Sequence, residues 1–130
     1  MKKPASTNSL NLEELRQTCP MVYGMQRLSG RYKVALLWHI GQGHNRFGLL
    51  RKELPPVTTK MLSQQLRELE ADGLVSRTIY AEMPPRVEYA LRPEAEALLS
   101  VLEGLRTWGD QLKQRVLDEL APAPALAPVQ

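Results

Sequence analysis

The sequence predicts a mainly α-helical chain with one small β-hairpin, arranged as a winged helix-turn-helix with a further helix at each end. Three observations carry that expectation. In TKMLSQQLRELEAD, residues 59–72, Leu62, Leu66 and Leu69 fall at i, i+4 and i+7, on one buried stripe of a helix. In VSRTIYAEMPPRVEYAL, residues 75–91, two runs alternate polar and apolar residues around Pro84-Pro85, the pattern of two antiparallel strands joined by a loop. Further on, Leu98, Leu102, Leu105, Gly109, Leu112 and Val116 repeat in alternating steps of four and three, a heptad-like seam on one long helix.

A chain of 130 residues fits a single domain. That domain is expected over residues 10–120, with polar residues 1–9 and the Pro/Ala-rich APAPALAPVQ, residues 121–130, as flexible tails. Cys19 is the single cysteine, so an intramolecular disulfide framework is excluded and a reducing compartment is expected. No apolar run is long enough to span a bilayer, and MKKPASTNSL has charge without the apolar core of a secretory signal. The expectation is a cytoplasmic protein with no membrane partner.

LNLEELRQ, residues 10–17, reads as a short helix. Pro20 suits the first turn of a second helix, MVYGMQRL continues it, and Ser29-Gly30 stops it. RYKVALLWHI, residues 31–40, is apolar on most sides, with Val34, Leu37 and Trp38 at helical spacing, and reads as the central buried helix. GQGHN breaks the chain, Asn45 is the expected cap of a short helix over RFGLLRKEL, and Pro55-Pro56 ends that helix. Thr58 is the expected N-cap of the next helix and Gly73 its stop. Two helices meeting across a tight turn, the second with donors on its outer face, have the layout of a helix-turn-helix.

Prolines cannot occupy a central strand, so AEMPPR, residues 81–86, is the hairpin loop. A two-stranded hairpin is not stable alone and must lie against helices. It is the wing, and Arg86 is the residue it presents to a DNA backbone or minor groove, the alternative being a salt bridge within the hairpin to Glu82 or Glu88. Arg92-Pro93-Glu94 opens the last helix, with proline in the first turn and acids near the positive end of the helix dipole. Its seam exceeds what one small domain needs and points to a partner helix, the alternative being a helix that caps its own domain. The expectation is a homodimer with N- and C-terminal dimerisation helices, in which Leu98, Leu102, Leu105, Trp108 and Leu112 form the interface, helped by residues 10–28.

Net charge is only +3, but its distribution is uneven. Between residues 18 and 67 the basic residues run from Arg27 to Arg67 and the only acid is Glu53, whereas residues 94–120 hold six acids against three bases. Such a dipole along the chain points to one basic working face, the alternative being an ordinary solvated surface. Thr58, Thr59, Lys60, Ser63, Gln64 and Arg67 belong to the helix expected to read DNA, and Arg31, Arg46 and Arg86 complete the candidate DNA-binding set. The expected partner is double-stranded DNA. An interaction module would show apolar or acidic residues on that helix face, and an RNA-binding domain would favour exposed aromatics, which are few here. His39 and His44 lack metal-ligand spacing, no Gly-rich phosphate loop follows a strand, and no Ser/His/Asp set can be assembled. No metal, cofactor or catalytic residue is expected, and the chain is not read as an enzyme.

Several stretches resemble one family: Cys19-Pro20 ahead of a helix, Gly30-Arg31-Tyr32, Arg46-Phe47 with Leu50, LSQQLRELEADGLV (62–75), PPRVEYAL (84–91) and Trp108-Gly109. They resemble the HxlR-type winged-helix transcription regulators of bacteria, relatives of the MarR group. The resemblance implies a homodimer bound to a pseudo-palindromic operator, here expected to act as a repressor, with dimer contacts from the N- and C-terminal helices. It also implies that the cysteine matching Cys19 senses oxidants or electrophiles in some members. Independently, Cys19 stands at a helix start, where orphan N–H groups and the dipole favour the reactive thiolate. The alternatives are a small buried hydrophobe, and a regulator that senses a small ligand with no redox role for Cys19.

Overall fold

The computed structural model describes residues 7–121. The chain order is α1 (Thr7–Thr18), α2 (Pro20–Leu28), α3 (Lys33–Gly41), α4 (Phe47–Glu53), α5 (Thr59–Ala71), β1 (Val75–Tyr80), β2 (Arg86–Leu91), α6 (Pro93–Glu96) and α7 (Leu98–Leu120). The described residues divide after Glu96 into two compact units. Helix α1 begins at Thr7, inside the segment expected as a tail. The rest of that segment, and the tail expected beyond Ala121, lie outside the described residues.

The first unit is built around α3 and α5. Leu36, Leu37 and Ile40 of α3, Leu50 of α4, and Leu62, Leu66 and Leu69 of α5 are all buried, joined by Val75 and Ala95. The α5 stripe therefore matches its sequence pattern. The α3 pattern does not: Val34 and Trp38 are only half-buried, and Leu36 and Ile40 take the core instead. In a helix apolar on most sides, spacing cannot select the inward face; the packing partners do.

Helix α5 has both ends closed by its own sequence. The Thr58 hydroxyl accepts from Met61 N at 3.1 Å, the expected N-cap, worth about 1 kcal/mol. At the other end Gly73, at φ +75°, completes a Schellman motif: Gly73 N donates to Glu70 O and Leu74 N to Leu69 O, both at 3.0 Å. The same motif ends α3 at Gly43, where His44 N donates to His39 O at 3.0 Å. The cap of α4, however, is Arg46 rather than Asn45. Asn45 is used differently, its carbonyl accepting from Tyr89 N at 2.8 Å and tying the loop to β2.

β1 and β2 pair antiparallel from Val75 opposite Leu91 to Tyr80 opposite Arg86. Strand β1 packs against α5 and β2 against α3. Val75 is buried, but Ile79 is 59 % exposed. The hairpin outruns the helical layer, so its alternation persists where nothing covers it.

The second unit is α7 alone, 23 residues long. The sequence suggested one helix from Pro93, but Ala97 separates the single-turn α6 from α7. Along the seam Leu105, Trp108, Leu112 and Val116 are all exposed in the single chain. Leu102 is not: it is 3 % exposed in the single chain.

Candidate nucleic-acid interface

Because Leu62, Leu66 and Leu69 anchor one face of α5, the residues on the opposite side of the helix point away from the core. Thr59, Lys60, Gln64 and Arg67 are exposed and Ser63 is half-exposed, so five of the predicted residues share one helix face. Two arginines that the sequence had not assigned frame this face. Arg51, on α4, donates to the Thr59 hydroxyl at 3.2 Å. Arg77, on β1, lines a cleft of about 380 Å³ with Ser63, Arg67, Glu70 and Tyr89, between α5 and the wing. The available signal for Arg77 was its place in the middle of a strand face that otherwise reads as apolar.

Of the remaining predicted residues, Thr58 commits its hydroxyl to capping. Arg31 is exposed in the turn before α3 and makes no hydrogen bond or ion pair with the α5 face. Arg46 Nη2 lies 4.0 Å from Glu88 Oε1.

Arg86 departs most from expectation. It is the first residue of β2, not part of the loop tip. Its guanidinium sits 4.1 Å from the ring centroid of Tyr80, its cross-strand partner. Its Nη2 lies 3.3 Å from Glu82 Oε1 and its Nε 3.4 Å from Glu88 Oε1, the latter at ion-pair distance but without hydrogen-bond alignment. Met83, 97 % exposed, occupies the projecting position instead.

The basic stretch is also less free than its composition suggests. Lys33 is 6 % exposed, and its Nζ lies 2.8 Å from Glu68 Oε2. Lys33 holds the Glu68 carboxyl below its usual range, first by a hydrogen bond and then by its charge, with Gln64 adding a smaller contribution. Gln65 is likewise buried, its Oε1 accepting from Tyr32 N at 3.5 Å. Gly30 makes room for both: a Cβ there would stand 2.6 Å from Gln65 Oε1 and 2.9 Å from Lys33 Cδ. Arg27 is paired with Asp72 at 3.2 Å. These cations bind α5 and its C-terminal turn to the elements before them.

Cys19 is the N-cap of α2, half-buried, and its side chain makes no capping hydrogen bond. Nearby, Arg16 bonds Gln26 at 3.1 Å and pairs with Glu13, and Arg27 bonds Tyr23. A groove of about 780 Å³, lined among others by Arg16, Tyr23 and Arg27, runs between α1 and α2. His44 Nε2 lies 3.2 Å from Glu53 Oε1, tying the α3–α4 turn to α4. Among the described residues no three His, Cys, Asp or Glu side chains gather as a metal site requires, and no helix is long and apolar enough to cross a membrane.

A capped helix with a donor-rich outer face, preceded by a helix and followed by a hairpin, is the frame that matches known proteins. The model for the HxlR-like helix-turn-helix family matches residues 27–116. The chain belongs to the HxlR-like helix-turn-helix family. The HTH-type transcriptional regulator YdeP of Bacillus subtilis is 39 % identical over 105 residues, covering 81 % of each chain. Among solved structures, the redox regulator HypR in its reduced form aligns with TM-score 0.70 at 36 % identity, over 77 % of this chain and 98 % of its own. Diamide-treated YodB from B. subtilis aligns with TM-score 0.57 at 30 % identity, over 72 % of this chain and 94 % of its own. Membership in the HxlR-like family makes the chain a helix-turn-helix transcriptional regulator, and the relatives matched are named as regulators rather than enzymes.

Proposed function

We propose that this HxlR-like protein is a repressor that binds a pseudo-palindromic operator as a homodimer and responds to oxidants or electrophiles through Cys19. The observation that carries the DNA reading is the outer face of α5, where Thr59, Lys60, Gln64 and Arg67 stand exposed on a helix whose other side is locked into the core. Arg51, Arg77, Arg46 and Arg31 supply charge for phosphates around it, and phosphate contacts set register while base contacts select sequence. In this reading the wing contributes shape more than charge, because Arg86 is already neutralised by Glu82 and Glu88. Such a regulator works in the cytoplasm, where its DNA is.

The exposed seam of α7 supports a homodimer, since Leu105, Trp108 and Leu112 are apolar and unpaired in the single chain. Two recognition helices would then sit about 34–36 Å apart, one turn of DNA. The domain expected over residues 10–120 thus combines DNA binding in the first unit with dimerisation through the second. Support for Cys19 comes from its half-buried position at the start of α2, and from similarity to the redox regulator HypR and to YodB, studied after diamide treatment.

The test is selection of sheared genomic DNA by the full chain, followed by sequencing. The expected result is an enriched inverted repeat whose half-sites are centred about 10 base pairs, or a multiple of one turn, apart. Enrichment of no sequence over random DNA would overturn the reading.

A further inference from the structure

Glu68 stands one turn beyond Gln64 on α5, where the outward face meets the side packed on α3. Its Oε1 receives a long contact from Gln64 Nε2 at 3.5 Å, and its Oε2 is held by Lys33 Nζ at 2.8 Å. Lys33 itself has almost no freedom. It is 6 % exposed and its stem lies against Gly30. A buried ammonium that lost this carboxylate would be left uncompensated, so the pair is kept together and the carboxylate has a defined position.

We infer that the Lys33–Glu68 pair is a positioning device that sets the polarity of the Gln64 carboxamide and thereby makes the base pair under Gln64 selective for adenine. The inference rests on Gln64 being a base-contacting residue. The two ends of a carboxamide are nearly alike in shape and opposite in hydrogen-bonding character, so a half-turn exchanges an acceptor for donors. Bidentate pairing with adenine needs the oxygen to accept from the N6 amino group and an N–H to donate to N7. The rotated amide offers donors where adenine also donates, and matches an acceptor such as guanine O6 instead. An ionised carboxylate only accepts. Glu68 therefore favours the N–H end of Gln64 and repels the oxygen end. One N–H of Gln64 goes to Glu68, leaving the oxygen and the second N–H, the two groups that adenine takes. Glu68 thus determines specificity without touching a base, through a lysine that the composition had counted as part of the DNA-facing charge.

The test compares wild type, Gln64→Ala, Glu68→Gln and the double variant, each used to select from a random-sequence duplex library whose bound fraction is sequenced. A glutamine at 68 both donates and accepts, so it satisfies either orientation of Gln64. The expected result is one position per half-site where wild type prefers adenine and Gln64→Ala does not. Glu68→Gln should lower that same preference about fivefold or more, leave the other positions unchanged, and have no effect there in the Gln64→Ala background. Partial unfolding lowers binding to every sequence alike, so a preference confined to one position does not report stability. Lys33→Met, which frees the Glu68 carboxylate, should weaken the same preference and no other. An adenine preference that survives Glu68→Gln, or a loss that persists in the Gln64→Ala background, overturns the device while leaving Gln64 as a base contact. A Gln64-dependent position that prefers another base overturns the polarity. No position changed by Gln64→Ala overturns the base-contact reading and the device with it.

Discussion

The Nε of Arg86 lies 3.4 Å from Glu88 Oε1, so the arginine that the hairpin sequence offers to DNA is held by a carboxylate of its own strand. Glu82 approaches its other side at 3.3 Å and Tyr80 lies beneath it. Arg86→Ala should therefore leave the salt dependence of DNA binding unchanged. It should cost the fold about 1 kcal/mol, as partly exposed ion pairs and cation–π contacts do. The slope of log affinity against log salt is the check, since loss of a phosphate contact would flatten it by about one unit.

On α5, Gln64→Ala and Arg67→Ala should each reduce the ratio of operator to random-DNA affinity by about 1–3 kcal/mol. Arg51→Ala and Arg77→Ala should weaken both affinities in parallel, as phosphate contacts do. Titrations of each variant against the two DNAs separate the classes, and an unchanged ratio for both Gln64→Ala and Arg67→Ala would remove α5 as the reading helix.

The leucines of the α7 seam should not all behave alike. Leu105→Glu with Leu112→Glu should give a folded monomer whose DNA affinity drops about a hundredfold or more, as the second half-site is lost. Leu102→Ala should instead destabilise the chain by about 2–5 kcal/mol without changing its association state. Sedimentation and denaturant melts distinguish the two, and a wild type that sediments as a monomer would defeat the homodimer.

Two groups should make stability fall with acid. Burial lowers the pKa of His39, with His44 adding to this and Glu53 opposing it. Its contribution should be complete above the unfolded value of about 6.5 and decline as pH drops below that, because the unfolded chain takes up the proton first. Lys33 lowers the pKa of Glu68, whose contribution should be complete above about 4.3 and be lost as pH falls through the folded value. Thermal melts across this range should show the upper decline flattened by His39→Gln and the lower by Glu68→Gln.

Diamide should change the DNA affinity of wild type and leave Cys19→Ser unaffected. With one cysteine per chain, the products are a sulfenic acid, a mixed disulfide, or a bridge between two copies. Non-reducing gels and intact mass identify which forms. Equal responses of wild type and Cys19→Ser would place the signal elsewhere.

The sequence by itself determined the elements whose evidence is local. The Thr58 cap, the Leu62–Leu66–Leu69 stripe, the Gly73 stop and the Pro20 start all stand where spacing and residue chemistry put them, because each depends on neighbours within a turn or two. The five outward residues of α5 follow from that stripe by helical geometry alone. Only the tertiary structure decided which charges remain free. Lys33 and Arg27 read as part of a basic face, yet their partners Glu68 and Asp72 lie far along the chain, and no local pattern records that pairing. Arg86 belongs with them: the strand register sets it opposite Tyr80, and Glu82 and Glu88 lie within ion-pair distance of its guanidinium. Leu98, Leu102 and Leu105 share one heptad pattern, and three-dimensional packing alone separates the buried Leu102 from the exposed Leu105. A hydrophobic period shows which side of a helix is apolar, while burial depends on what stands next to it.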